Sequence, residues 1–164
     1  MIIKNKHELS ITELRQQTLD IIEAGISRIL PPAVMKSAVR YDSARRILTL
    51  NDYTYHLSKG RIFVVGGGKA SGFMAETLEN IIGPDNITAG VVICNCRSSD
   101  YKTSTIKIIQ AGHPVPDQRG LNGVKQMLAL RDQCSISESD LVICLISGGG
   151  SALMPCPVDG VKLK

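Results

Sequence analysis

The chain has no tryptophan, and only two phenylalanines and four tyrosines among its 164 residues. Large aromatic anchors are therefore not what fills its core. No basic run is interleaved with aromatics, and Arg45-Arg46 is the only adjacent basic pair, which argues against a nucleic-acid surface. The net charge of +4 is mild and suits small anionic substrates. No apolar run approaches the roughly 18 residues needed to span a bilayer, and the opening MIIKNKHELS lacks the apolar segment of a signal peptide. No membrane partner and a cytoplasmic location are expected. A disulfide framework is also missing. The five cysteines (Cys94, Cys96, Cys134, Cys144, Cys156) are odd in number and mostly sit in apolar runs, as reduced buried thiols do. Cys94-Asn-Cys96 has no second Cys/His pair to complete a zinc site, so no metal ligand set is assigned.

What is present is the palette of one α/β domain, with 43% hydrophobic residues rich in Val, Ile, Leu and Gly. The chain is organised around Ile62-Phe-Val-Val-Gly-Gly-Gly-Lys-Ala-Ser71. Its four apolar residues read as a strand buried on both faces. Gly66-Gly67-Gly68 then turn the chain into a helix that starts near Ser71. A strand, a glycine turn and a helix N-terminus make an anion site, in which backbone N–H groups approach a ligand closely and Lys69 adds a full charge.

Around this stretch, apolar positions from Ile11 to Leu30 predict a packing helix that covers the sheet, ended by Pro31-Pro32. Ile47–Leu50 and Tyr53–Leu57 flank Asn51-Asp52 and predict a hairpin, with His56 solvated or packed on it. A helix is predicted over 71–82, and further strands over 87–94, 105–110 and 140–146. A helix over 118–132 follows the proline-fixed loop Gly112-His113-Pro114-Val-Pro-Asp117, with Asp117 as a candidate N-cap. The element order argues for an open, mostly parallel, doubly wound (Rossmann-like) sheet with helices on both faces. Ligands then collect beyond the carboxyl ends of the strands, where 66–71, 111–117 and 147–152 converge.

Several chemistries compete for these loops. The Walker pattern fails, because Phe63 and Ala70 stand where Gly and Ser/Thr are needed. A dinucleotide fingerprint, Gly66-x-Gly68-x-x-Ser71, lacks its third glycine, and Asn95 and Cys96 replace the acidic residue after the next strand. A hydrolase elbow around Ser151 lacks its final glycine. There remains a Lys69 cradle facing a second cradle, Ser147-Gly148-Gly149-Gly150-Ser151. Two cradles suit transfer between two anionic molecules, because phosphoryl transfer needs positioning and charge stabilisation. Two other classes stay open on the residues alone. One is a non-catalytic module binding a nucleotide or organic acid; the other is a nicotinamide-dependent reductase.

Val65-Gly-Gly-Gly-Lys-Ala-Ser71 with Met74-Ala75, then Gly112-His-Pro-Val-Pro-Asp117, then Leu145-Ile-Ser-Gly-Gly-Gly-Ser-Ala-Leu153 resembles the glycerate 2-kinase family of the MOFRL-domain type. Some bacterial members of that family were once labelled hydroxypyruvate reductases. The resemblance spans nearly the whole chain. It implies transfer of the ATP γ-phosphoryl group to the 2-hydroxyl of D-glycerate, with Mg2+ or another divalent cation. It makes Lys69 the lysine at the substrate site and the Ser147–Ser151 loop a phosphate- or substrate-facing loop. Residues 113–117 become a motif beside the cleft. Family members are considerably longer, so residues 1–164 would be an N-terminal part of the catalytic domain. A C-terminal domain outside this chain would supply an arginine to the site. A homodimer, or assembly with that C-terminal part, is implied, and little activity is expected of these residues alone. A sheet so shortened would have an uncovered edge and an apolar face.

Overall fold

The computed structural model describes residues 2–163. A short helix, α1 (Lys6–Leu9), precedes α2 (Glu13–Ile29), where the Thr12 hydroxyl caps the first turn by accepting from the Arg15 N–H. Pro31 and Pro32 end α2 and also open α3 (Pro31–Ala38), since a missing N–H costs nothing in a first turn. The expectation that 11–30 covers the sheet is not met. No residue of α2 is buried; it packs on α1 and α3, and Leu14, Ile21, Ile22 and Ile29 stay exposed. Helix α3 packs instead on the helix over 71–82 that lies against the parallel sheet, so α2 is one layer farther out.

Three antiparallel strands follow: β1 (Val39–Asp42), β2 (Ile47–Leu50) and β3 (Tyr53–His56). The hairpin pairs Leu50 with Tyr53 across Asn51-Asp52, and Asn51 takes the left-handed conformation at φ 51°. The alternation pattern does not single out β1, because Val39-Arg-Tyr-Asp42 earns its strand from pairing with β2. His56 lies exposed on β3.

The second sheet is wholly parallel in the order β6-β5-β4-β7: β4 (Ile62–Gly67), β5 (Ala89–Cys94), β6 (Ile106–Gln110) and β7 (Leu141–Ile146). Helix α4 (Ser71–Ile82) buries Ala75, Leu78 and Ile82 against Ile62, Val64, Val92, Ile106 and Leu145 on one face. Helix α5 (Gln118–Gln133) packs on β5 and β6 on the other, where Ile93, Ala111, Val124 and Leu153 form a smaller core. A four-residue helix, α6 (Gly150–Leu153), follows β7.

β7 shows its position in its burial. Ile143 and Leu145 are inside, while Val142, Cys144 and Ile146 on the alternate face are exposed. Between that face and α5 runs a mostly apolar groove of about 880 Å³, lined by Met127, Leu128, Leu130, Ile136 and Val142 among others. Among the described residues no helix is long and apolar enough to cross a membrane.

Two polar fastenings hold the sheet. At the amino ends of β4 and β7, Arg61 grips Asp140 with two contacts, Nε to Oδ1 at 3.1 Å and Nη2 to Oδ2 at 2.7 Å. The same guanidinium donates to the Cys134 and Ser135 carbonyls and so ties the end of α5 to the sheet. On α4, the buried Glu79 carboxylate accepts from the N–H groups of Ser104, Thr105 and Ile106, which fixes the entry to β6.

Candidate functional site

Four parallel strands place four carboxyl ends at one edge of the sheet, and the loops that leave it are 68–70, 95–105, 111–117 and 147–149. Two of them are locked together. The Lys69 N–H donates to the Gly148 carbonyl at 2.9 Å, and the Ala70 N–H donates to the Ser147 hydroxyl at 3.0 Å. The Ser71 hydroxyl donates to the Leu145 carbonyl at 3.0 Å and lies 3.1 Å from the Ser147 hydroxyl. Ser71 is fully buried.

These contacts correct the reading of Gly66-Gly67-Gly68 as an open anion cradle. Every N–H from Gly68 to Ser71 is already used: by Ile93 O, Gly148 O, the Ser147 hydroxyl and Gly68 O in turn. The glycines serve close packing instead. A Cβ at Gly66 would stand 2.2 Å from the Leu145 carbonyl oxygen, and one at Gly67 would stand 2.5 Å from the Met154 side chain. At Gly68, φ is 145° and a Cβ would stand 2.2 Å from the Ser147 hydroxyl. The two glycine loops therefore do not face each other across a cleft, because they form one hydrogen-bonded ridge. Ser71 and Ser147, both named from the sequence as ligand-facing, direct their hydroxyls into that ridge.

The other loop keeps its donors. None of the backbone hydrogen bonds of the described residues uses the N–H groups of Gly148, Gly149, Gly150 or Ser151. Gly149 has φ 90°. A Cβ there would lie 2.8 Å from Nε2 of His113 and 3.3 Å from Cγ of Lys69. Farther along the lysine, Cε lies 4.0 Å from the corresponding position at Gly148. Lys69 thus runs along the 148–149 backbone with its side chain exposed, and the exposed His113 ring lies against the same Gly149 position. The structure brings together Lys69, His113 and the 148–151 amides.

Pro114 and Asp117 shape the third loop. The His113–Pro114 peptide is cis. Asp117 caps α5, accepting from the Gly120 N–H at 3.0 Å, and its other oxygen accepts from Arg119 Nε at 2.6 Å. Burial pulls its carboxyl upward, but the N–H groups of Gly112 and Gly120 and the Arg119 guanidinium outweigh this and leave it below the usual carboxylate range. The sequence reading did not single out Arg119, a second exposed cation beside this loop; the signal was its place two residues after the helix-capping aspartate. Met154, which fills the space that Gly67 leaves, was missed as well, and nothing local marks it.

Among the described residues there is no group of three or more His, Cys, Asp or Glu side chains that could hold a metal ion. With Asp117 already satisfied, the residues at this edge do not fit a protein-held divalent cation. They fit an anion: a lysine ammonium and a run of N–H groups without acceptors.

The family model for DUF4147, a domain of unknown function, matches residues 17–164. The chain is 30% identical over 152 residues to the glycerate 2-kinase of Pyrococcus horikoshii, covering 93% of this chain and 32% of the relative. It is 30% identical over 151 residues to the D-glycerate 2-kinase of Thermotoga maritima, covering 92% and 32%. A crystal structure of a Pyrococcus horikoshii protein superimposes with a TM-score of 0.78 at 30% identity, over 93% of this chain and 33% of that one. The chain spans about a third of the length of the relatives it matches.

Proposed function

The chain belongs to the DUF4147 family, the N-terminal domain of glycerate 2-kinases, and on that footing we propose that it builds one wall of an ATP-dependent D-glycerate 2-kinase site. The reaction moves the γ-phosphoryl group of ATP to the 2-hydroxyl of D-glycerate and yields 2-phosphoglycerate. The observation that supports this reading is the convergence on Gly149 of Lys69, His113 and four N–H groups without acceptors. Phosphoryl transfer asks little covalent chemistry of a protein. It asks for positioned donors and positive charge where phosphate oxygens and carboxylates gather, away from competing water.

In this reading the 148–151 N–H groups hold phosphate oxygens, and the Lys69 ammonium neutralises charge on the transferring group or on the glycerate carboxylate. Ser71 and Ser147 act at one remove, by fastening the Lys69 backbone to Gly148. The divalent cation expected for such a reaction finds no ligand set here, and no step is routed through it. The opposite wall of the site comes from a second domain, in the same polypeptide or in a partner. All five cysteines are unpaired, as suits a reducing compartment, but only Cys94 is buried; Cys144 and Cys156 are exposed, against the expectation of buried thiols.

Lys69→Ala tests the reading in the protein as its gene encodes it. D-Glycerate-dependent ADP release should fall by about 100-fold or more, the usual scale for loss of one charge-stabilising group. Turnover close to the parent's would show that Lys69 has no such role. Calorimetric titration with ATP separates transfer from mere binding, since a binding module takes up nucleotide and releases no ADP.

A further inference from the structure

We propose that His113 is the base that accepts the proton of the acceptor hydroxyl; this rests on the kinase reading above. In the step, the hydroxyl oxygen forms a bond to the γ-phosphorus of ATP. The bond from that phosphorus to the bridging oxygen breaks, and its electron pair leaves with ADP. The hydroxyl proton passes to an imidazole nitrogen of His113 and then to solvent, to which the ring is open.

The assignment follows from what the other groups at this edge are doing. Asp117 is a poor proton acceptor, because one oxygen is held by the Gly120 N–H and the other by Arg119. The hydroxyls of Ser71 and Ser147 are spent on each other and on the loop contact. Lys69 is the cation of the site and supplies charge. Loop 147–151 brings no titratable side chain. His113 remains: Nε2 lies 2.8 Å from where a Gly149 Cβ would be, the neighbouring Asp117 carboxylate is held by Gly112, Gly120 and Arg119, and imidazole is the side chain suited to proton acceptance near neutral pH. The charged groups around it are Lys69 from the β4–α4 loop and Asp117 with Arg119 from the start of α5.

The test uses His113→Ala and His113→Asn in the protein as its gene encodes it, with ATP and D-glycerate as substrates. General-base removal should lower kcat by about 100- to 10,000-fold. KM for D-glycerate should stay within a few-fold of the parent's, the acid limb of the kcat–pH profile should vanish, and added imidazole should restore part of the rate of His113→Ala. Thermal melts of both variants report whether the fold survives. A His113 variant with near-parental kcat in an active protein overturns the base role and leaves the kinase reading standing. So does a loss that appears in KM, keeps the parent's pH profile and ignores imidazole, since that is the signature of a positioning residue. A parent that binds ATP but never phosphorylates D-glycerate overturns the reading itself, and the base role with it.

Discussion

Gly149 is the residue that most sharply ties backbone to site. Its φ of 90° is a conformation that L side chains rarely adopt, and a Cβ there would press on the His113 ring and the Lys69 stem together. Gly149→Ala should lower unfolding stability by about 1–2 kcal/mol in urea titrations and should reduce turnover by more than the unfolded fraction explains. Gly25→Ala is the matched control. Gly25 sits inside α2 with nothing within 4 Å of its Cβ position, so alanine there should stabilise by up to about 1 kcal/mol. Equal urea midpoints for parent and Gly149→Ala would show that this backbone is not strained. At this scale the sequence was only partly legible. Lys69 and His113 stand out by residue type beside glycine and proline. That Gly66, Gly67 and Gly68 yield to Leu145, Met154 and Ser147 is visible only when the loops touch.

Among the elements, the join between α4 and β6 depends on one carboxylate. Glu79 is 3% exposed and receives three consecutive backbone N–H groups, from Ser104, Thr105 and Ile106. Glu79→Ala would leave those donors unpaired and should cost about 3 kcal/mol in urea unfolding, at 1–3 kcal/mol for a buried unsatisfied group with partial relaxation to water. Amide hydrogen exchange at 104–106 should quicken while exchange in β4 stays slow. A variant that unfolds at the parent's midpoint would assign Glu79 no such role. The elements themselves were well announced. Helix 71–82, the four apolar strands and the 51–52 turn are set by local patterns of apolar residues and breakers. The role of α2 was not, because an apolar stripe says that a face is to be covered and does not say by what.

For the molecule as a whole, the edge strand β7 is tied to the rest of the parallel sheet at the Arg61–Asp140 grip. The Arg61 guanidinium, then the N–H groups of Ser137 and Arg61, hold the Asp140 carboxyl well below the usual carboxylate range, although burial opposes them. The folded state therefore binds this proton less readily than the unfolded chain does. The resulting stability is fully present above the unfolded carboxylate pKa of about 4 and is lost progressively as the pH falls below it. Urea midpoints measured from pH 6 down to pH 2.5 should drop for the parent and drop less for Asp140→Asn, which starts lower. Parallel slopes would mean that other carboxylates govern acid unfolding. At the far side of the sheet β7 is an edge strand, and Val142, Cys144 and Ile146 on one of its faces are exposed. The sequence by itself determined the strands, the main helices and the set of loops gathered at the carboxyl edge, because apolar periodicity and glycine or proline breaks act within a few residues of chain. The tertiary structure alone decided which of those loops keeps free N–H groups. The bonds that spend the others join Ala70 to Ser147 and Ser71 to Leu145, 77 and 74 residues apart, and no local pattern encodes a partner at that distance.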